Sequence, residues 1–497
     1  MIHRSYVLAA LAAGGVFVAG CKKETPAAPP AEEAPQPVTL KVLVTADENG
    51  YLLPHAVEGE PRGGAAKLLG QWIEKEGHCI IGGANCSPER TIALSTGDHF
   101  GGPALSSRFG GEPVAEAMGY MNYAATGLGN HDLNFGHEQL TRNISKASVP
   151  VIAANLEAKG SGSEGLRFPD HVLVERDGMK VGVIGLLFVK APERSMPGRY
   201  QGAAVHPYQE TLARAVPAVR AEGADAVVVL MDDCPSAIED AVSSNPDWNL
   251  AVVAGGDCDA PYEKTVGNTL LASPGKRFEK YLAATLTLDP AKPAGERLTK
   301  VEGAVVEVSA DATPEPGLAQ KIAAWEKKTE DELSRQIGYS QSALELGSPE
   351  LARWLTTALR ESTEADAVLV NRGGLREGLP AGKITVGDVY SAIPFENSVM
   401  IVELTGAQLA EALANDQAVS DLTLQGQRVV DAKGKPLNPT GRYKVATIEF
   451  LYFGGDDFKL ESADGNPTHT GMLWQAPVLD WMRSANTSEQ TPLQTKL

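Results

Sequence analysis

The sequence predicts an α/β protein with two folded units in series, and three observations lead there. Short apolar runs suited to buried strands recur at 40–46, 91–95, 149–153, 181–187, 226–230 and 250–254. Helix-patterned stretches such as 210–221 lie between some of them, and strands alternating with helices build layered α/β domains. A Pro-rich step, Thr313-Pro314-Glu315-Pro316, then leads into a charged, Ala-rich amphipathic run at 318–336, the composition of a connecting helix. Residues 40–312 are therefore read as the first unit, 313–336 as a linker helix and 337–497 as a second αβ unit.

The first 39 residues stand apart from both units. Arg4 precedes an uncharged run rich in Ala, Leu and Val at 5–20, which closes on Val18-Ala19-Gly20-Cys21. A basic start, a short apolar stretch and small residues before a cut site make an export signal, too short to span a bilayer as a mature helix. The cysteine directly after the small residues resembles a lipobox. Cys21 would then be acylated as the new N-terminus, with 1–21 as the signal and several acyl chains giving stable membrane anchoring. Residues 22–39 are Pro, Ala and Glu with almost nothing to bury, the composition of an extended tether. The expected location is periplasmic or outer-membrane, held by lipid.

A formal net charge of -19 excludes a nucleic-acid polymer as partner, because phosphate-backbone binding relies on clusters of Lys and Arg. An anionic ligand must be met by local groups or by a metal. Of the five cysteines, four remain after Cys21, which allows two disulfides in an oxidising compartment. Cys79 and Cys86 are expected to bond to each other, because Gly82 and Gly83 permit the tight return between them.

Most of the predicted strands end in Gly, Asp, Asn or Cys, and ligands of α/β folds gather at such strand ends. Four segments carry the chemistry: Thr45-Ala46-Asp47-Glu48-Asn49-Gly50, Ser95-Thr96-Gly97-Asp98, Gly127-Leu128-Gly129-Asn130-His131-Asp132 and Gly255-Gly256-Asp257-Cys258-Asp259. The second unit adds Asn371-Arg372-Gly373-Gly374-Leu375-Arg376, Pro394-Phe395-Glu396-Asn397, Leu404-Thr405-Gly406 and the run from Phe450 to Asp456. In order and spacing these resemble the 5′-nucleotidase family, in its metallophosphoesterase domain and its C-terminal nucleotide-recognition domain respectively.

The resemblance implies a four-layer α/β/β/α first domain followed by a smaller α+β domain. It also implies two metal ions bridged by one carboxylate, which activate a water against phosphorus. Carried over by position, Asp98 is the bridge, Asp47 binds one metal and Asn130 the other. His131, steered by Asp132, stabilises charge on the phosphoryl group. Phe395 and Phe450 match the rings that hold a nucleobase, and Asn371, Arg376 and Asp456 match its polar contacts. The implied ligand is thus a nucleotide or nucleoside. A further Arg of the family pattern falls at Gly347, with Arg353 one turn on.

The departures concern the metal ligands. Asn49, Asp232, Asp257 and Asp259 stand where the family motifs D-x-H, the lone His after a strand and G-H-x-H place histidine. The remaining set, Asp47, Asn49, Asp98, Asn130, Asp232, Asp257 and Asp259, offers oxygen only, which suits hard divalent ions such as Mn²⁺, Mg²⁺ or Ca²⁺ rather than Zn²⁺. His55, His99 and His137 lie near the motifs and are read as surface or packing residues. Cys234 and Cys258 follow neighbouring strands inside two ligand segments, so they are expected within disulfide reach. Three readings stay open: a phosphoester hydrolase with reduced or altered activity, a nucleotide-binding lipoprotein without catalysis, and a thiol-redox lipoprotein using Cys234 and Cys258.

Overall fold

The computed structural model describes residues 36–57, 60–80, 90–195, 199–258, 261–395 and 397–497. Cys21, Cys86 and Asp259 lie outside the described residues, as do the export signal and most of the tether. Among the described residues no helix is long and apolar enough to cross a membrane.

Two six-stranded sheets form the first unit. One runs Leu298–Glu307, Lys280–Leu288, Val38–Thr45, Thr91–Ser95, Tyr123–Gly127, Val151–Ile152, parallel from Val38–Thr45 onward and antiparallel before it. The other runs Glu263–Val266, Thr269–Ala272, Val252–Gly255, Ala226–Met231, Met179–Leu186, His171–Arg176, with parallel strands between antiparallel edges. Alternation of side chains along each strand explains the layering. Val42 and Val44 enter a core shared with Val228 and Leu230 of the other sheet. Leu43 turns outward to helices, and Val227 and Val229 turn to the opposite helical layer. Burial on both faces is why these strands read as near-continuous apolar runs, and the result is the four-layer α/β/β/α arrangement.

The first strand begins at Val38, so the tether is shorter than the composition suggests. Val38 and Thr39 pair with Leu288 and Thr287, and a ladder partner holds residues that look like linker when read alone. The connecting helix spans Pro316–Leu333, with Glu315 as N-cap accepting the amides of Gly317 and Leu318. It stops before the expected end because Gln336 opens the strand Gln336–Ser340. Its Leu318, Ile322 and Trp325, one apolar stripe at helical spacing, pack into the helical layer of the first sheet.

The second unit is built on a five-stranded sheet ordered Ala418–Ser420, Ala367–Asn371, Arg442–Ile448, Ser398–Thr405, Thr468–Leu473. Helices Pro349–Thr363 and Gln475–Ala485 supply Trp354, Leu355, Val478 and Met482 to its core.

Candidate functional site

Parallel strands of both sheets of the first unit end at one edge, and the loops leaving them carry the acidic residues. Asp47 follows Val38–Thr45, Asp98 follows Thr91–Ser95, Asp232 follows Ala226–Met231 and Asp257 follows Val252–Gly255. Asp47, Asp98 and Asp232 are buried, and one carboxylate oxygen from each lies within 4.8 Å of those of the other two. Two glycines make room for this approach. A Cβ on Gly129 would stand 2.1 Å from Asp98 Oδ1, and one on Gly256 would stand 2.4 Å from Asp47 Oδ1. The backbone is strained here as well: Asp47, Asn49, Asp98 and Asp257 have φ of 47°, 44°, 59° and 45°, and such residues cluster at functional sites.

Backbone amides aim each carboxylate. The amide of Asp257 donates to Asp47 Oδ2 at 2.9 Å, that of His131 to Asp98 Oδ1 at 2.8 Å and that of Asn130 to Asp232 Oδ2 at 3.1 Å. Asp47 Oδ1 is buried without a hydrogen-bond partner. Burial, and then the mutual repulsion of the carboxylates, pushes Asp47 and Asp232 well above the ordinary range. Burial likewise raises Asp98 to about 6, although the charge of His131 opposes it. Three buried carboxylates with an orphaned oxygen fit a hard divalent cation, which would be held by Asp47, Asp98 and Asp232.

The other expected ligands are placed differently. Asn49 lines the cleft but turns its Nδ2 to the carbonyl of Asp47 at 3.3 Å. Asn130 is half-buried beside Asp232, and Asp257 is exposed at the cleft wall. The cleft has a volume of about 790 Å³, and the exposed His131 lines it as well. Both oxygens of Asp132 are taken by amides, those of Gly129 at 2.8 Å, Asp98 at 3.2 Å and His99 at 2.8 Å. It thereby orients the loop that carries His131, and the ring's Nδ1 meets Asn134 at 3.1 Å.

Cys234 and Cys258 form a disulfide with Cα atoms 4.8 Å apart. The bond ties the loop after Asp232 to the loop carrying Asp257, because Ala226–Met231 and Val252–Gly255 are adjacent parallel strands. Cys79 is buried and disulfide-bonded.

Sequence reasoning missed a buried ion pair directly beneath this site. His99 Nδ1 stands 2.6 Å from Glu48 Oε2, and both side chains are shut off from solvent. Thr45 and Ser95 donate to Glu48 Oε1 at 2.5 and 2.8 Å, and His99 Nε2 lies 2.5 Å from Thr126 Oγ1. His55 pairs with Glu279 at 2.9 Å, and His137 Nε2 meets the Arg199 carbonyl at 2.6 Å.

In the second unit Phe395 and Phe450 are 40% and 44% exposed, too open for core residues. Trp474 Nε1 and Gln475 Nε2 each donate to the Phe395 carbonyl at 2.7 Å, which fixes that turn. The Arg376 guanidinium lies 5.0 Å from the Phe395 ring centre. Asn371 donates to Asp456 Oδ2 at 2.7 Å. Glu449, beside Phe450, is raised by burial. Arg353 is exposed on its helix.

A metallophosphoesterase-like domain joined by a helix to a smaller α+β domain is the class of protein that this fold and site define. Residues 327–462 match the family model of the 5′-nucleotidase C-terminal domain. The chain is 23% identical to the cell wall protein Lmo0130 of Listeria monocytogenes over 86% of its own length, spanning 65% of that protein. It is 24% identical to protein UshA of Yersinia enterocolitica, over 87% of this chain and 89% of that one. The crystal structure of a 5′-nucleotidase precursor from Thermus thermophilus shares the fold, with a TM-score of 0.61 at 21% identity, covering 91% of this chain and 97% of that one. The chain is thus similar to 5′-nucleotidases in fold over most of its length, and its residues 327–462 carry the match to that family's C-terminal domain.

Proposed function

We propose that this protein is an extracytoplasmic, lipid-anchored phosphoester hydrolase that acts on nucleotides with a hard divalent cation and turns them over slowly. The observation that carries this reading is the meeting of Asp47, Asp98 and Asp232 within 4.8 Å at the floor of the cleft that His131 also lines. When bound there, such a cation supplies an activated water and neutralises phosphoryl charge. Among the chain's own groups, His131 at the cleft wall meets the phosphoryl oxygens, while Phe395 and Phe450 stack the base and Asn371, Arg376 and Asp456 orient the rest of the nucleoside. Slow turnover follows from the carboxylates and the amide that stand at 49, 232, 257 and 259, where the family motifs place histidine. Even the loss of a group that only hydrogen-bonds a metal ligand typically costs about 10- to 100-fold.

The names of two relatives support the setting: one is a cell wall protein, and another, from Vibrio cholerae, is a 5′-nucleotidase that aligns over 97% of this chain. The test is phosphate release from AMP by the full chain in Mn²⁺, Mg²⁺, Ca²⁺ and Zn²⁺. Slow release that prefers the hard ions supports the proposal. Turnover at ordinary enzyme rates of roughly 1 to 1,000 per second removes the claim of slowness, and no release in any metal removes hydrolysis.

The Cys234–Cys258 bond, with Cys258 lining the cleft, favours a second reading as a thiol–disulfide exchange protein. An external dithiol would pass two electrons and two protons to this bond, closing its own disulfide and leaving two thiols here. A bond that resists dithiols in the folded protein excludes it.

A further inference from the structure

Among the described residues lining the carboxylate cleft, two cations, Lys276 and Arg277, have no ion-pair partner, and only Arg277 is held in place by packing. Arg277 lines the cleft together with Asp47, Asp98 and Asp257. It sits in a turn where Arg277 and Phe278 both have left-handed backbone, φ 54° and 57°. Three contacts hold that turn in place. The Arg277 amide donates to the Asp47 carbonyl at 3.0 Å, Phe278 is buried in the helical-layer core, and the guanidinium lies over the Tyr51 ring at 4.3 Å from its centre. Yet Arg277 Nε is buried without a hydrogen-bond partner, and among the described residues no carboxylate lies within 4.0 Å of the guanidinium. Of its basic neighbours, Lys280 pairs with Glu307 at 3.3 Å and His55 with Glu279 at 2.9 Å, while Lys276 is exposed to solvent.

A guanidinium held by stacking, with its planar fork of donors unused, is organised for the two oxygens of an oxyanion. The cleft selects which oxyanion. A simple carboxylate would meet the repulsion of Asp47, Asp98, Asp232 and Asp257 with little compensation, whereas a phosphoryl group presents oxygens both to a cation held by those carboxylates and to the wall. We propose that Arg277 is the phosphoryl-binding residue of this cleft, gripping two non-bridging oxygens of the substrate. This specifies the substrate class of the site and rests on the reading that the cleft binds phosphoesters.

The test is calorimetric titration of the Mn²⁺-loaded full chain with inorganic phosphate. Arg277→Gln, which removes the guanidinium and its fork of donors, is expected to weaken phosphate binding about 10- to 100-fold, the worth of charged hydrogen bonds, while the Arg277 amide bond to Asp47 and the buried Phe278 still hold the turn. Arg277→Lys keeps the charge without the fork and is expected to lose about 3- to 10-fold, so it serves where the Gln variant does not fold. Phosphate affinity unchanged in both variants, or no phosphate binding by the parent chain, overturns the proposal. The readout is independent of turnover. A chain that hydrolyses AMP while R277Q binds phosphate like the parent refutes this inference alone, and a chain that binds phosphate through Arg277 but hydrolyses nothing refutes only the hydrolase reading.

Discussion

Glu48 and His99 form an ion pair, 2.6 Å from Oε2 to Nδ1, in the layer immediately beneath Asp47 and Asp98. Each is the chain neighbour of one of those carboxylates, so the pair fixes both loops from below. Burial alone would lower the imidazole, but the carboxylates of Asp132 and Glu48 outweigh it and raise His99 to about 9.

Glu48→Gln leaves His99 facing a neutral amide in a solvent-free layer. Removing one partner of a buried pair costs about 3 to 5 kcal/mol, so chemical denaturation should show a loss of that size. The effect depends on pH in a definite sense. With the folded value raised above the ordinary 6.5, the pair contributes fully below about 6.5 and loses its contribution as pH rises through about 9. The gap between parent and E48Q should therefore narrow across that window.

Asp98 follows the same direction at lower pH, with burial as its cause. Its folded value of about 6 against an ordinary 3.8 means that the folded state binds the extra proton between these values, so its contribution to stability falls as pH rises through them. In chelator, Asp98→Asn should gain stability relative to the parent as pH increases from about 4 to 6 and hold that gain above it. Adding Mn²⁺ should reverse the order, since the parent's carboxylate then gains a ligand. Melting curves at matched pH with and without Mn²⁺ measure both.

The Cys234–Cys258 bond closes a span of 24 residues, for which chain-entropy arguments give about 3 kcal/mol. The double variant Cys234→Ser/Cys258→Ser should lose roughly that amount on denaturation. It should also weaken Mn²⁺ binding, because the Asp257 loop, whose amide supports Asp47, is then tied only through the backbone. A variant with unchanged Mn²⁺ affinity would limit the bond to a structural role.

Phe395→Ala and Phe450→Ala test the second unit. Stacking on an aromatic face gives about 1 to 3 kcal/mol per base, so each should weaken AMP binding by roughly 5- to 150-fold while leaving inorganic phosphate unaffected. Equilibrium binding of both ligands to each variant separates the base clamp from the phosphoryl site.

Much of this architecture is legible in the chain itself, because strands buried on both faces leave long apolar runs and their polar ends mark the site. Asp47, Asp98 and Asp232 stand out as carboxylates closing such runs, and Cys234 and Cys258 stand out because their strands are neighbours. What stays hidden depends on contacts remote in sequence. Val38 looks like tether until Leu288 pairs with it, and Glu48 and His99 look like ordinary motif neighbours until two loops bring them together. The three amides from two loops that Asp132 accepts are displayed by no motif. Arg277 belongs to no motif at all, and only the stacked Tyr51 and the absence of a counterion among the described residues single it out.

The central claim is that Asp47, Asp98 and Asp232 together hold a hard divalent cation, and calorimetric titration of the chelator-treated chain with Mn²⁺ tests it most directly. The account predicts saturable binding that Asp98→Asn weakens by at least about tenfold, first-shell losses exceeding the 10- to 100-fold typical of outer-shell changes. A parent chain that binds no Mn²⁺, or an Asp98→Asn chain that binds it equally well, would contradict the account.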